Sequence, residues 1–282
     1  NNALLKFYGI PIFYTPAYSW VLSGRGSGFL TPDYYTYNES TQRNNSYGYR
    51  IPYYFNLAPD RDLVTALNYM SSRGFIFEGK YRQLLPKITN NMPSSNFEIE
   101  AKFLPNDKIK DLNRWLINFS EELDLSEKTH LSAKYHRVSD SKYFEEIDRS
   151  NTELEYLKSH LNLSYKDLDN SFFVTFLTEN EQVVNSGTPN YNRALEGYVS
   201  KTFDQIKNTS LTASAVSSRF THDTSSKESG IRNHGSISLT RTIDWKYPKI
   251  TPNASVQITN YSLKNSPNIN RTIFGSGINF DF

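Results

Sequence analysis

Cysteine is absent from the 282-residue chain, which excludes disulfides and thiolate–metal centres within it. Methionine is nearly absent too, with 2 residues. No apolar run approaches the ~20 residues that a membrane helix needs. Neither charge sign dominates: the formal net charge is +2, so bulk electrostatics give no reason to expect nucleic acid or an anionic membrane surface as partner. Mean hydropathy is −0.60 and hydrophobic residues make up only 37%. Gly24-Arg-Gly-Ser-Gly28 reads as a flexible corner, because no helix pattern follows it as a dinucleotide fingerprint requires. No repeat of fixed period appears, which argues against propellers and solenoids. The chain begins at Asn1 and shows no signal peptide, so a fragment or processed product is expected.

Aromatics fill the gap. There are 20 Tyr and 18 Phe, 15% aromatic with Trp, where a soluble α/β enzyme fills its core with Leu, Ile, Val and Ala. A β-barrel in a membrane tolerates the low hydropathy, because only alternate strand residues meet lipid. The alternation is visible. Phe97, Ile99, Ala101 and Phe103 point away from Glu98, Glu100 and Lys102. Phe75, Phe77 and Tyr81 oppose Glu78, Lys80 and Arg82, and Leu131, Ala133 and Tyr135 oppose His130, Ser132, Lys134 and His136. Trp115, Ile117 and Phe119 alternate with Asn118 and Ser120, and Val256 and Ile258 with Ser255, Gln257 and Thr259. About 13 or 14 such segments follow one another. One helical piece is expected near Ser141–Arg149, inside a loop.

The connections sort by length. Odd ones are long and polar (Asn38–Ser46, Pro105–Asn113, Ser139–Asn151, Glu179–Tyr191, Ser218–Arg232), and most even ones are tight (Ala58–Asp62, Glu121–Ser126, Tyr165–Asn170, Asp204–Asn208). Ser71–Gly74 and Leu84–Ser95 break the rule. Short turns at one end and longer loops at the other fit an outer-membrane barrel. Tyrosines cluster near expected strand ends, in Tyr34-Tyr35-Thr36-Tyr37, Tyr47-Gly-Tyr49 and Tyr53-Tyr54-Phe55, as in an interfacial girdle. Alternation alone equally suits a soluble sandwich with one wet face; the strand number favours the barrel.

Little points to catalysis. His130 and His136 share a face but stand about 20 Å apart along a strand, too far for one metal. Glu98 and Glu100 are about 7 Å apart, a glycosidase-like spacing without any pocket-forming pattern around it. His222-Asp223 lies in a Ser/Thr-rich loop without a nucleophile elbow. No catalytic residue, metal or cofactor is expected.

Five ordered motifs carry a resemblance. Ile10-Pro-Ile-Phe-Tyr-Thr-Pro16, Ser27-Gly-Phe-Leu-Thr-Pro32, Ile51-Pro-Tyr-Tyr-Phe-Asn-Leu-Ala-Pro-Asp60, Tyr69-Met-Ser-Ser-Arg-Gly74 and Tyr81-Arg82 together resemble the LptD family of lipopolysaccharide-assembly proteins. Phe103-Leu-Pro-Asn-Asp107, Arg114-Trp115 and Val138-Ser-Asp-Ser-Lys-Tyr-Phe144 extend it. After about residue 160 only the strand pattern continues it.

The resemblance implies an all-β fold: an antiparallel transmembrane β-barrel, present here in part, with residues 1–22 ending a periplasmic β-jellyroll and hinge and 23–282 starting the barrel. It implies a non-enzymatic translocon in the Gram-negative outer membrane. Lipopolysaccharide would arrive over a periplasmic bridge (LptA), its lipid leaving through a lateral seam and its sugars through the lumen. A lipoprotein plug, LptE, and the barrel-assembly machinery would be partners. Ser27, Gly28, Phe29, Leu30, Pro32 and Pro52 become seam or first-strand candidates, since proline removes a ladder donor. Glu78, Lys80, Arg82, Glu98, Glu100, Lys102, His130, Lys134 and His136 become lumen-facing candidates. The chain departs from the pattern at Val21, where many relatives have proline, and is one residue shorter before Ser27. A fragment with about half the family's strands cannot close at the family's diameter, and Phe282 is expected to lie in mid-barrel. A general porin, or a soluble or surface carbohydrate-binding β module, are the alternatives.

Overall fold

A computed structural model describes residues 3–7, 10–15, 25–38, 45–85, 95–149, 152–185, 187–224, 226–243 and 249–281. Val21, the tip of the 38–46 connection, most of the 84–95 connection and Phe282 lie outside these described residues. Strands β1 (Ala3–Phe7) and β2 (Ile10–Thr15) form a two-stranded antiparallel sheet of their own.

A fifteen-stranded antiparallel sheet follows, ordered as the chain runs. Its strands are β3 (Gly28–Phe29), β4 (Asp33–Asn38), β5 (Asn45–Ala58), β6 (Arg61–Met70), β7 (Gly74–Leu85), β8 (Ser95–Asp107), β9 (Leu112–Ser126), β10 (Thr129–Val138), β11 (Tyr156–Asp167), β12 (Phe172–Val183), β13 (Asn192–Phe203), β14 (Thr209–Thr221), β15 (Gly230–Arg241), β16 (Lys249–Leu263) and β17 (Ile269–Asp281). β3 and β4 lie end to end along β5, so the fifteen segments make fourteen rails. The all-β class and strand number expected from the sequence are both present. Among the described residues the one helical element is a π-helical turn, Phe144–Asp148, inside the 139–155 connection.

Several connections are shorter than in the sequence reading, as strand extends into Glu179–Tyr191, Ser218–Arg232 and Tyr165–Asn170, and two differ most. Glu121–Ser126 is strand, and the turn is residues 127–128. Its carboxylates look loop-like, but Glu122 and Asp124 sit on the polar face opposite Ser132 and His130. Lys128 in that turn donates to Asp167 at 2.9 Å, a hydrogen bond that holds its ammonium pKa above the ordinary lysine value. Pro105–Asn113 shrinks to residues 108–111, because β8 runs through Pro105 to Asp107. Asn106 and Asp111 take left-handed conformations at that turn, with φ 48° and 55°, which Asn and Asp accept more readily than bulkier residues.

The chain divides into two compact units, Asn1–Gln83 with Glu100–Trp115, and Leu84–Ile99 with Leu116–Phe282. In the first, Met70, Ile76 and Leu104 are buried near the β6–β7 turn. Gly74 makes that turn with φ +126°, a conformation that suits only glycine. Beside it Arg73 donates to Asp107 at 2.6 Å and Arg114 to the same carboxylate at 3.3 Å, all three side chains being buried. In the second unit the π-helical turn buries Phe144 and Ile147, and Val138, Leu157 and Val184 are buried in the same unit. The Phe144 ring meets His136 edge-on at 6.1 Å, so the connection lies over the polar face of β10.

The registers confirm two faces. Leu67 pairs with Phe77 and Tyr69 with Phe75, while Ala66 pairs with Glu78 and Asp62 with Arg82. Val256 pairs with Ile237 and Phe274, while Gln257 pairs with Ser236. The apolar face is uncovered: Phe77, Phe176, Ile258 and Phe274 are 54%, 54%, 57% and 82% exposed. A soluble sandwich would bury that set; a lipid-facing band leaves it open. The tyrosine clusters divide between faces. Tyr34, Tyr47 and Tyr49 are exposed on the apolar side, whereas Tyr35 and Tyr37 turn to the polar side and bond Asn68 and Ser72 at 2.8 and 2.7 Å.

Asp107→Ala would leave two buried guanidiniums without their shared carboxylate. Stability of the full-length protein is expected to fall by about 3–5 kcal/mol, as for other broken buried ion pairs. A denaturant midpoint equal to wild type would refute this.

Candidate functional site: the interrupted first strand

The first rail owes its form to two prolines. β3 pairs Gly28 with Tyr54 and Phe29 with Tyr53, and β4 resumes with Asp33 opposite Arg50. The register slips by one residue across Leu30–Pro32. Within the gap the Leu30 amide donates to the Pro52 carbonyl at 3.0 Å. In an antiparallel pair of this kind the bond is normally returned. Pro52 has no N–H, so it cannot be returned, and Pro32 removes a second donor. Pro52 keeps its place in the β5–β6 register opposite Ala66. The deficit therefore falls on the first rail.

Side chains partly replace the ladder at its leading end. The Ser27 hydroxyl accepts from the Asn56 amide at 2.9 Å, and the Arg25 carbonyl accepts from Asn56 Nδ2 at 2.8 Å. Arg25 donates through Nη2 to Tyr54 Oη at 2.5 Å and to Asp62, and through Nη1 to the Pro59 carbonyl at 3.2 Å. Asp62 is buried and also accepts a fork from Arg82 at 2.9 and 3.0 Å, and a bond from Tyr54 at 3.2 Å. Higher up, Arg50 donates to Glu78 at 2.8 Å and to Asp33 at 3.2 Å, and Asn68 donates to Glu78 at 3.1 Å. Phe29 is 69% exposed and meets Tyr53 edge-on at 4.9 Å on the apolar face.

The six first-strand candidates thus fall in one place: Ser27, Gly28, Phe29, Leu30 and Pro32 along the rail, Pro52 opposite Leu30. The polar candidates do not form one site. Glu78 and Arg82 join the network above, and Lys80 occupies the polar face opposite Val64. Glu98, Glu100 and Lys102 alternate along β8, with Lys102 3.4 Å from Glu100. His130 bridges Asp124 at 2.7 Å and Glu122 at 2.9 Å, and Ser132 joins Glu122 at 2.8 Å and His160 at 3.0 Å. Lys134 is exposed opposite Ser120 and His160, and the His136 amide donates to Ser159 at 3.1 Å. On β14–β16 the polar face changes character to paired hydroxyls, such as Ser214 with Ser236 at 2.7 Å.

Arg25, Arg50, Tyr54 and Asp62 are not among the site candidates that the sequence offers: Arg25 stands there in a flexible corner, Tyr54 in a tyrosine cluster and Asp62 in a tight connection. Counting outward from the Ser71–Arg73 turn sets Asp62 opposite Arg82, so that pair was accessible in principle. Arg25 lies before the rail's first paired residue and carries no such signal.

Comparison with known proteins follows the same lines. The family model described as LptD, LPS transport system D, matches residues 112–279. It therefore reaches well past residue 160, where fixed motifs run out. LPS-assembly protein LptD of Shewanella sp. (strain MR-4) is 27% identical over 277 residues, 92% of this chain and 33% of the relative. LPS-assembly protein LptD of Burkholderia cenocepacia (strain HI2424) is 32% identical over 152 residues, 54% of this chain and 18% of the relative. The chain thus spans between about a fifth and a third of those relatives' length. Among solved structures, OmpT, an outer membrane protein of Vibrio cholerae, aligns at TM-score 0.33 and 10% identity, covering 90% of this chain and 98% of that one. A likeness at that level carries no argument.

Pro52→Ala restores a donor aimed at Leu30. The first rail is expected to gain about 0.5–1.5 kcal/mol of local stability. Tryptic cleavage after Arg25, which follows local opening, should slow by about two- to tenfold; an unchanged rate would show that the proline does not weaken the rail.

Proposed function

From the premise that the chain belongs to the LptD family of LPS transport proteins, we propose that it forms the leading part of an outer-membrane translocon. It carries lipopolysaccharide to the cell surface without covalent chemistry. The chain is part of an antiparallel β-barrel of the Gram-negative outer membrane. Lipid leaves between the first rail and a closing strand outside this sequence, and sugar follows the polar face. On this reading residues 1–22 end the periplasmic domain that receives substrate from an LptA-type bridge. An LptE-type lipoprotein fills part of the lumen, and the barrel-assembly machinery inserts the whole.

One observation carries the proposal: the ladder defect at Leu30–Pro32 opposite Pro52. A strand whose backbone donors are missing inside hydrocarbon is costly. In a general porin such a defect has no use. In a protein that must part its own wall, a weakly paired first rail lowers the free energy of opening. The charged groups gathered on the opposite face keep the rail's polar side hydrated while the apolar side meets lipid.

Depletion of the full-length protein from cells tests this. Newly made lipopolysaccharide is expected to stop appearing at the surface within a few generations, with general small-solute permeation through other channels unchanged. Surface lipopolysaccharide persisting at wild-type levels would defeat the proposal.

A further inference from the structure

The network around Asp62 has a property that the strand defect alone does not give. Its carboxylate holds Arg25, Arg82 and Tyr54 at once. If Arg25 leaves, Asp62 keeps the Arg82 fork at 2.9 and 3.0 Å and the Tyr54 hydroxyl at 3.2 Å. The buried acid is then still paired, so the exchange avoids the penalty of an orphaned buried charge. Arg25 itself is 46% exposed and Arg82 50% exposed, so an incoming anion can reach both guanidiniums. Guanidinium forks bind phosphate and carboxylate alike, and a doubly charged phosphate competes well with one carboxylate oxygen.

Arg25 also matters out of proportion to one ion pair. Among the described residues, beyond two ladder positions, the single Leu30–Pro52 bond and the Phe29–Tyr53 ring contact, the rail's leading end is held by Arg25 and by the two Asn56 contacts. We propose that Arg25, Asp62 and Arg82 form a substrate-released latch. A phosphate monoester on a glycolipid draws Arg25 off Asp62 and frees residues 25–30 of the first rail. The inference rests on the transport reading above and deepens it, by naming the chemical group that opens the wall and the residues that sense it.

The test uses the full-length protein in lipid nanodiscs, with spin labels at Ser27 and Thr65 reporting the gap between the first rail and β6. Phosphorylated lipid A is expected to lengthen and broaden the distance distribution in wild type. Dephosphorylated lipid A and inorganic phosphate should leave it unchanged. Asp62→Asn should show the long distribution without lipid, and Arg25→Gln should do so with no further response to phosphorylated lipid. Arg25→Lys, keeping the charge but not the fork, should respond with reduced amplitude. Opening by dephosphorylated lipid or by inorganic phosphate alone, or a wild-type distribution in Asp62→Asn, would overturn the latch. If lipid A moved nothing in wild type while depletion still abolished surface lipopolysaccharide, the latch would fail and the transport reading would stand.

Discussion

Inside hydrocarbon no water can pair with a backbone N–H or C=O, so a spanning sheet must satisfy every such group through its ladder. That constraint governs this chain from β5 to β17. It fixes the side-chain period at two and sets most Phe, Leu and Ile on one face and most charged residues on the other, with exceptions such as Val64 opposite Lys80 and Glu121 opposite Ala133. Tight antiparallel turns keep neighbours in register, and most pairings run without a slip over their full length. Bulges interrupt the register of four other pairings in the described sheet, and Pro105 and Pro252 also lack ladder donors; at Leu30–Pro32 a register slip and two prolines, Pro32 and Pro52, fall together.

The two faces solve different problems. On the apolar side large side chains stand exposed because lipid, not protein, covers them. On the polar side ionisable groups are joined in pairs and chains: Arg50 with Glu78 and Asp33, His130 with Asp124 and Glu122, Lys158 with Glu181 at 3.0 Å. Half-exposed pairs of this kind contribute little stability each. Their value is positional: they hold neighbouring strands in one register and keep the polar face wettable. The buried cluster of Arg73, Asp107 and Arg114 is different, because there the charges are out of water and loss of Asp107 takes from both guanidiniums the carboxylate they share.

Much of this was legible in the sequence. Alternation in Asn96–Leu104, Phe75–Arg82 and His130–His136 set the strands and their faces, since a one-residue slip would have turned Glu98 or Lys134 into the apolar band. Pro32 and Pro52 were legible as residues without a ladder donor, because that is a local property, and the structure sets them along the first rail and opposite Leu30. What required coordinates was contact between segments distant in sequence. Nothing local shows that Arg25 reaches Asp62, or that Tyr35 and Tyr37 leave the tyrosine cluster for the polar face. Glu121–Ser126 misled for a physical reason: carboxylates in series suggest a solvated turn, yet alternate ones here are bonded by a histidine on the next strand.

Residue-resolved amide hydrogen exchange on the full-length protein in a bilayer tests the central claim most directly. Exchange at Phe29–Asp33 should be faster by orders of magnitude than at Val64–Leu67 or Val256–Thr259, whose ladders are complete. Equal protection across all three would contradict the view that the first rail is the sheet's built-in point of opening.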